Sequence, residues 1–331
     1  MILTVTLNPA IDHTVTLDEE LEPNVVHRTT NRRFDPGGKG INVSQVLDVL
    51  GTDTVATALV GGRIGSYIEH ALTENGLRNV CIEIDGISRL NTTILAEDEE
   101  YKINQSGPPV GIERVSELID AIRGHHPETV VIGGSLPQGL GSGAIDYIAG
   151  AGNWRTVVDS GGDVLRRLDK RYALAAPNRD ELAAATGMST ETVSDCVLAG
   201  HDLREQGYER VLASIGRDGA LLVGPRGDYH ARVPERYAGA RDTTGGGDAL
   251  LAGVLSAMDS GASDERALAR GVAVASRSVA ASGTGVPDLS GLEELLERVD
   301  VTVCEEAPET TGHDHVVPTD HTAPDRNTEP R

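Results

Sequence analysis

The stretch Asp242-Thr-Thr-Gly-Gly-Gly-Asp248-Ala-Leu-Leu-Ala-Gly253 combines a glycine run, a helix start and a carboxylate. Three consecutive glycines, Gly245, Gly246 and Gly247, let bare backbone N–H groups approach an anion. A helix over residues 249–258 adds positive partial charge at its N-terminus. A phosphate suits that place, with Thr243 at its edge. Asp248 falls in the first helical turn, where a base that takes the proton of an attacking hydroxyl is useful. The plainer reading is a glycine-rich turn with an acid at a helix N-terminus, and the rest of the chain decides between the two.

A second glycine loop, Asp35-Pro-Gly-Gly-Lys-Gly-Ile-Asn42, feeds a helix with apolar residues at 43, 46, 47 and 50. It is neither a GxxxxGK[ST] loop nor a GxGxxG fingerprint, which counts against a P-loop NTPase and a dinucleotide-binding dehydrogenase. Beyond the turn made by Gly37 and Gly38, Lys39 offers a cation and Asn42 an amide to an anionic, hydroxylated ligand. Only three residues of the chain are lysines, Lys39, Lys102 and Lys170, so one retained in a glycine loop favours a specific role. Asp12 follows a β-branched run at residues 2–7 and can accept hydrogen bonds from sugar hydroxyls, unless it is simply an aspartate in a loop. Ligands of open α/β sheets lie beyond the C-terminal strand ends, which puts residues 133–139, Ser135 among them, at the ligand edge. Asn178 and Glu181 have the spacing of a capping box; alternatively they hold magnesium through waters. In the strand–turn–strand that begins at Ser214, Gly216 and Gly219 let a nucleotide lie flat against the backbone.

The elements that must position these groups alternate. Strands are expected over residues 55–60, 80–84, 157–159, 172–176 and 211–215 and from 129 onward. Helices are expected over 64–75, 112–123, 264–282 and 289–299. This alternation implies a mainly parallel sheet covered on both faces. Residues 13–17 and 25–34, polar on both faces, and a hairpin of 92–96 with 101–103 do not fit that sheet. They read as a β-lid built from segments 13–34 and 89–104, with Arg89, Asn91, Lys102 and Asn104 as its polar contributions. One domain over residues 1–304 is followed by a tail, 305–331, whose Thr, Pro, Asp, Glu and His content reads as disorder; a metal bound by His313 and His315 there would be adventitious.

With 51 acidic against 29 basic residues, the formal charge is −22. No basic patch can form over most of such a surface, which excludes nucleic acid and anionic membrane as partners. The N-terminus lacks a basic region before its apolar stretch, and no apolar run is long enough to span a membrane, so the chain reads as cytoplasmic. Cys81, Cys196 and Cys304 form no CxxC pattern and suggest neither a disulfide framework nor a zinc site. Acid excess, arginine preferred to lysine and a single Phe resemble proteins of extreme halophiles.

TLNPAID (6–12), GGKGINVSQVL (37–47), GSLPQG (134–139), PNRDEL (177–182), SIGRDG (214–219) and DTTGGGD (242–248) stand in one order over roughly residues 1–300. On these motifs the chain resembles the ribokinase-like PfkB family of sugar kinases, and within it the 1-phosphofructokinase branch. The resemblance implies an α/β fold, a ribokinase-like three-layer α/β/α sandwich with a small β-lid, and a homodimer in which lids pair. It implies phosphoryl transfer from ATP with Mg2+ to the C6 hydroxyl of fructose 1-phosphate. Asp248 would be the base, Gly245 to Gly247 the anion hole, Asp12 and Asn42 sugar contacts, and the Asn178/Glu181 segment magnesium-associated. Lys39 with Arg89 would grip the substrate phosphate, and Asp248 would be ionised at neutral pH with an ordinary pKa. Gly246 stands where many relatives have alanine, and Gln45 where the branch usually has arginine, which leaves that arginine's role unfilled. The rival readings are a kinase for tagatose 6-phosphate or fructose 6-phosphate and, from another class, an inactive sugar-phosphate-binding regulator.

Overall fold

In the first strand, β1 (Ile2–Thr6), every residue is buried and successive side chains serve opposite faces. Leu3 and Val5 join one apolar cluster and Ile2 joins another. A strand buried on both sides needs cover on both sides. The computed structural model describes residues 1–97, 99–234, 245–280 and 288–304, and supplies that cover as two helical layers.

β1 is followed by β2 (Ala10–Leu17), β3 (Arg32–Gly37), α1 (Lys39–Val49), β4 (Thr54–Gly61), α2 (Gly62–Glu74) and β5 (Asn79–Ile84). Next come β6 (Arg89–Ala96), β7 (Glu99–Ile103), α3 (Ile112–His125), β8 (Thr129–Gly133), α4 (Gly143–Ala149), β9 (Arg155–Asp159) and α5 (Gly162–Leu165). The C-terminal half holds β10 (Leu174–Ala175), α6 (Arg179–Thr186), α7 (Val193–Glu205), β11 (Val211–Ser214), β12 (Ala220–Gly224) and β13 (Gly227–Arg232). It ends with α8 (Gly246–Asp259), α9 (Asp264–Ala280), α10 (Leu292–Leu296) and β14 (Asp300–Val303).

Ten strands form one sheet in the order β14-β13-β12-β11-β10-β9-β8-β1-β4-β5. Neighbours from β11 to β5 run parallel, and the β11 to β14 edge is antiparallel. Apolar residues of α3 to α7, such as Leu118, Ile148 and Leu203, cover one face; α1 and α8 to α10 cover the other with residues such as Leu47, Leu251 and Leu268. The result is the expected three-layer α/β/α sandwich. β3-β2-β6-β7 form a separate four-stranded sheet, the lid, whose root packs through Ile11 against Ile41 and α2.

Several boundaries differ from expectation. Residues 25–31 form no strand, and β3 begins only at Arg32. Val25 and Val26 are exposed, and the segment instead closes on β2 through Thr16 N–H to Asn31 O and the Thr29 hydroxyl to Thr16 O. Asp12 lies inside β2 rather than in a loop. The strand expected at 172–176 shrinks to β10, and the helix expected at 289–299 to α10. α7, opened by a capping box between Thr192 and Asp195, and the edge strands β13 and β14 complete the described fold. The expected tail at 305–331, Thr243 and residues 281–282 of the expected helix lie outside the described residues.

Candidate active site

Parallel pairing sets three strand ends side by side, because Thr6 is the register partner of Gly133 and Gly133 that of Asp159. α1 begins over this edge. The Thr6 hydroxyl accepts the Ile41 N–H at 2.9 Å, satisfying one of the donors that a helix N-terminus leaves unpaired. A Cβ at position 40 would come within 2.6 Å of the Val5 carbonyl oxygen, so glycine is what lets the helix sit this close. Lys39 is thereby delivered to Asp159, with Nζ 2.5 Å from Oδ1. Its second carboxylate is Glu181 of α6, at 3.5 Å.

Glu181 makes the capping box and also reaches the cluster around Lys39. Its backbone N–H donates to Asn178 Oδ1 and its Oε2 accepts the Asn178 N–H, each at 2.8 Å, which completes the capping box. Its Oε1 is the oxygen that faces Lys39.

At α8, Gly245 has φ 82°, a left-handed conformation that suits glycine and turns the chain into the helix. Added Cβ atoms at Gly245 and Gly247 would meet nothing within 4 Å among the described residues, which leave this N-terminus open on that side. The helix starts at Gly246, and Asp248, 7% exposed, accepts a 2.7 Å hydrogen bond from Asn42 Nδ2 at Oδ2. Burial pushes the Asp248 carboxyl up to about 7, the charge of Asp159 adding to the rise and Lys39 and Asn42 opposing it. The expected ordinary pKa is therefore corrected: dehydration, which sequence spacing does not report, dominates here. Burial pulls the Lys39 ammonium down, but the carboxylates of Asp159 and Glu181 overcome it and hold Lys39 charged. Asn42 Oδ1 is buried without a hydrogen-bond partner among the described residues, an acceptor that a bound hydroxyl would satisfy.

The lid supplies the other end of the site. Asp12 accepts from Asn91 Nδ2 at 3.1 Å, and burial raises its carboxyl against that bond. Gly37 packs on the Asp12 carboxylate, where a Cβ would collide with it. Arg89 donates through Nε and Nη2 to Asn8 O at 3.1 and 2.9 Å and through Nη1 to Gln105 O at 3.3 Å, fastening the lid to the end of β1. Asn8 also donates to Ser135 Oγ at 3.1 Å, and Lys102 pairs with Glu100 at 3.0 Å.

One cleft of about 2120 Å³ joins all of these groups. Its walls include the expected Asp12, Gly38, Lys39, Asn42, Arg89, Lys102, Ser135, Asn178, Glu181, Ser214, Gly216, Gly219 and Gly245 to Asp248; Gly37 lies behind Asp12. Beyond the glycines, Val233, Val272, Ala275 and Val279 give the cleft an apolar wall. The two cations expected to share one phosphate are engaged differently: Lys39 within the carboxylate cluster, Arg89 at the root of the lid. Asp159 is the residue that motif reading missed. Its position at a strand's C-terminal end was the available signal, the same one that singled out Ser135.

Asp159, Glu181 and Asp248 act on one ammonium, so the cluster carries excess negative charge where the open helix N-terminus invites a phosphate. No group of three or more His, Cys, Asp or Glu side chains among the described residues forms a ready metal cage. Magnesium fits this donor set, since at phosphate sites it uses one or two carboxylates and fills its shell with water and phosphate oxygens.

A buried carboxyl below a glycine-capped helix N-terminus, facing a lid lined with polar groups on a three-layer sandwich, fits a phosphotransferase for polyhydroxylated acceptors. The chain belongs to the pfkB family of carbohydrate kinases, whose model it matches over residues 5–290. It is 45% identical over 302 residues to a 1-phosphofructokinase of Haloferax volcanii, covering 91% of this chain and 98% of that protein. Identity to a D-tagatose-1-phosphate kinase of Bacillus licheniformis is 34% over 311 residues, covering 91% of this chain and 99% of that one. Among solved structures, phosphofructokinase-2 from Escherichia coli in complex with potassium is similar with a TM-score of 0.82 at 25% identity, over 89% of this chain and 98% of that chain.

Proposed function

We propose that the protein transfers the γ-phosphoryl group of ATP to the C6 hydroxyl of fructose 1-phosphate, giving fructose 1,6-bisphosphate. The observation that carries the chemistry is Asp248, buried beneath open glycine amides, held by Asn42 and poised near neutrality. Asp248 takes the acceptor's proton, and the amides at Gly245 to Gly247 receive the transferring phosphoryl. Asn42 and Asp12 orient sugar hydroxyls. Lys39 serves the phosphates of the transfer rather than the acceptor's own phosphate, which falls to Arg89 and Lys102 at the lid end. Asn178, Ser214, Gly216 and Gly219 border the nucleotide, with Thr243 assigned there from its motif. Magnesium, when bound, offsets phosphate charge; Glu181, through water, and Asp159 would hold it.

The choice of acceptor is supported by the Haloferax volcanii relative. The Bacillus licheniformis relative favours a second reading, tagatose 1-phosphate, which differs from fructose 1-phosphate only in configuration at C4. Both readings keep the phosphate on C1, unlike tagatose 6-phosphate or fructose 6-phosphate. Exposed apolar side chains on the lid, Val26, Phe34 and Ile103, support pairing of two copies through their lids. No described helix is long and apolar enough to cross a membrane, in keeping with a cytoplasmic enzyme. Assaying 1- and 6-phosphorylated ketohexoses with ATP and magnesium in high salt tests the reading. Preferred turnover of fructose 1-phosphate is expected. Preference for a 6-phosphate, or binding of every sugar phosphate without transfer, overturns it.

A further inference from the structure

Arg179, the first residue of α6, takes no part in the transfer described above, yet its guanidinium is heavily used. Nη1 donates to Thr190 O and Glu191 O, both at 2.6 Å. Nη2 donates to Asp218 Oδ2 at 2.7 Å and reaches Ile215 O at 3.4 Å. The arginine side chain is 25% exposed, so this ion pair is partly shielded from water, where charge-assisted hydrogen bonds are stronger than at an open surface.

Asp218 belongs to a 3-10 turn, Gly216–Asp218, between β11 and β12. The turn borders the cleft through Ile215, Gly216, Arg217 and Gly219. Among the described residues, a Cβ on Gly216 would meet nothing within 4 Å, and no residue of the 216–218 turn is buried. Ile215 anchors the start of the turn in the apolar core, and residues 216–218 beyond it take their position from their clamps. On one side is Arg179. On the other, His230 Nε2 of β13 donates to Asp218 O at 2.6 Å; a carbonyl only accepts, so that nitrogen carries the proton. Two residues along α6 from Arg179, Glu181 faces Lys39. A single helical turn thus links the loop 215–219 to the carboxylate cluster.

We propose that Arg179 is a positioning residue for the phosphoryl donor: its ion pair with Asp218 sets the turn 215–219 against the N-terminus of α6, so that the bound nucleotide and the Lys39–Glu181 contact keep one spacing. The inference rests on the reading of residues 214–219 as part of the nucleotide site.

The test compares Arg179→Met, Asp218→Asn and the double variant with the wild type, varying ATP and fructose 1-phosphate separately and measuring ATP affinity by calorimetry. Either single change should raise the KM and Kd for ATP about tenfold, the scale of one charge-assisted hydrogen bond, and leave the KM for the sugar phosphate within about twofold. The double variant should be no worse than the weaker single one, because both changes remove the same pair. Equal rises for both substrates, additive losses or an unchanged ATP affinity would overturn the proposal. Asp218→Asn preserves shape at a half-exposed position, so it decides the matter alone if Arg179→Met fails to fold. A wild type that binds ATP but transfers nothing would sink the proposed reaction and leave the inference to the ATP affinities.

Discussion

A carboxyl that is buried beside a second carboxyl and must still accept a proton works best near neutrality, and Asp248 meets that condition. Turnover should fall as pH drops through about 7, as the base becomes protonated. Asp248→Asn should lower turnover by about 10²–10⁴-fold, the usual contribution of a positioned base, while ATP still binds the untouched glycine amides. Stability should move the other way. The folded-state pKa lies above the unfolded value of 3.8, so this group's contribution is complete below about pH 4 and is lost as pH rises toward 7. A shift from 3.8 to about 7 corresponds to roughly 4 kcal/mol at most, which outweighs the roughly 0.3–1 kcal/mol that an acid gains at a helix N-terminus. Asp248→Asn should therefore melt no lower than the wild type at neutral pH. Full turnover in this variant, or turnover independent of pH between 5 and 8, would return the glycine run to an ordinary capped turn.

At the scale of elements, the approach of α1 to β1 decides where Lys39 and Asn42 stand. Gly40→Ala would place a Cβ 2.6 Å from the Val5 carbonyl oxygen and 2.5 Å from Thr6 Oγ1, and backbone cannot yield as a flexible side chain can. Overpacking costs about 1–3 kcal/mol, more than the up to about 1 kcal/mol gained from replacing glycine in a helix. The variant should melt lower by several degrees. It should also lose at least about tenfold in turnover, because the helix that must shift carries the partners of Asp159 and Asp248. Gly124→Ala in α3 is the control: its Cβ would meet nothing within 4 Å, so propensity alone acts and turnover should stay unchanged. Equal behaviour of the two variants in melting and in turnover would remove α1 packing as the cause.

The whole molecule carries −22 at neutral pH, and that charge repels itself. Molar salt shortens the screening length to about 3 Å, so added KCl should relieve the repulsion and raise the melting temperature. A steady fall in melting temperature from low to molar KCl would contradict this. The parallel sheet and the lid do not depend on the charge; their order follows from apolar alternation and strand register.

The groups proposed to contact a ligand are legible because their signals are local. Glycines beside an acid or a lysine, a strand ending in a polar residue and a capping-box spacing each lie within a few positions, which is how Asp248, Lys39, Asn42, Asp12 and Glu181 were found. Asp159 carries only the weaker signal of ending a strand, and it is the register of β1, β8 and β9 that brings it 2.5 Å from a lysine 120 residues earlier. Val25 and Val26 look like strand residues, yet the described fold leaves them exposed and outside any strand. The sequence by itself determined the layer architecture and the kinds of group at the site, since periodicity and turn chemistry are written along the chain. Only the tertiary structure decided the protonation of Asp248, the partners of Lys39 and the clamp on residue 218, because burial and charge proximity arise from segments that meet solely when the sheet is assembled.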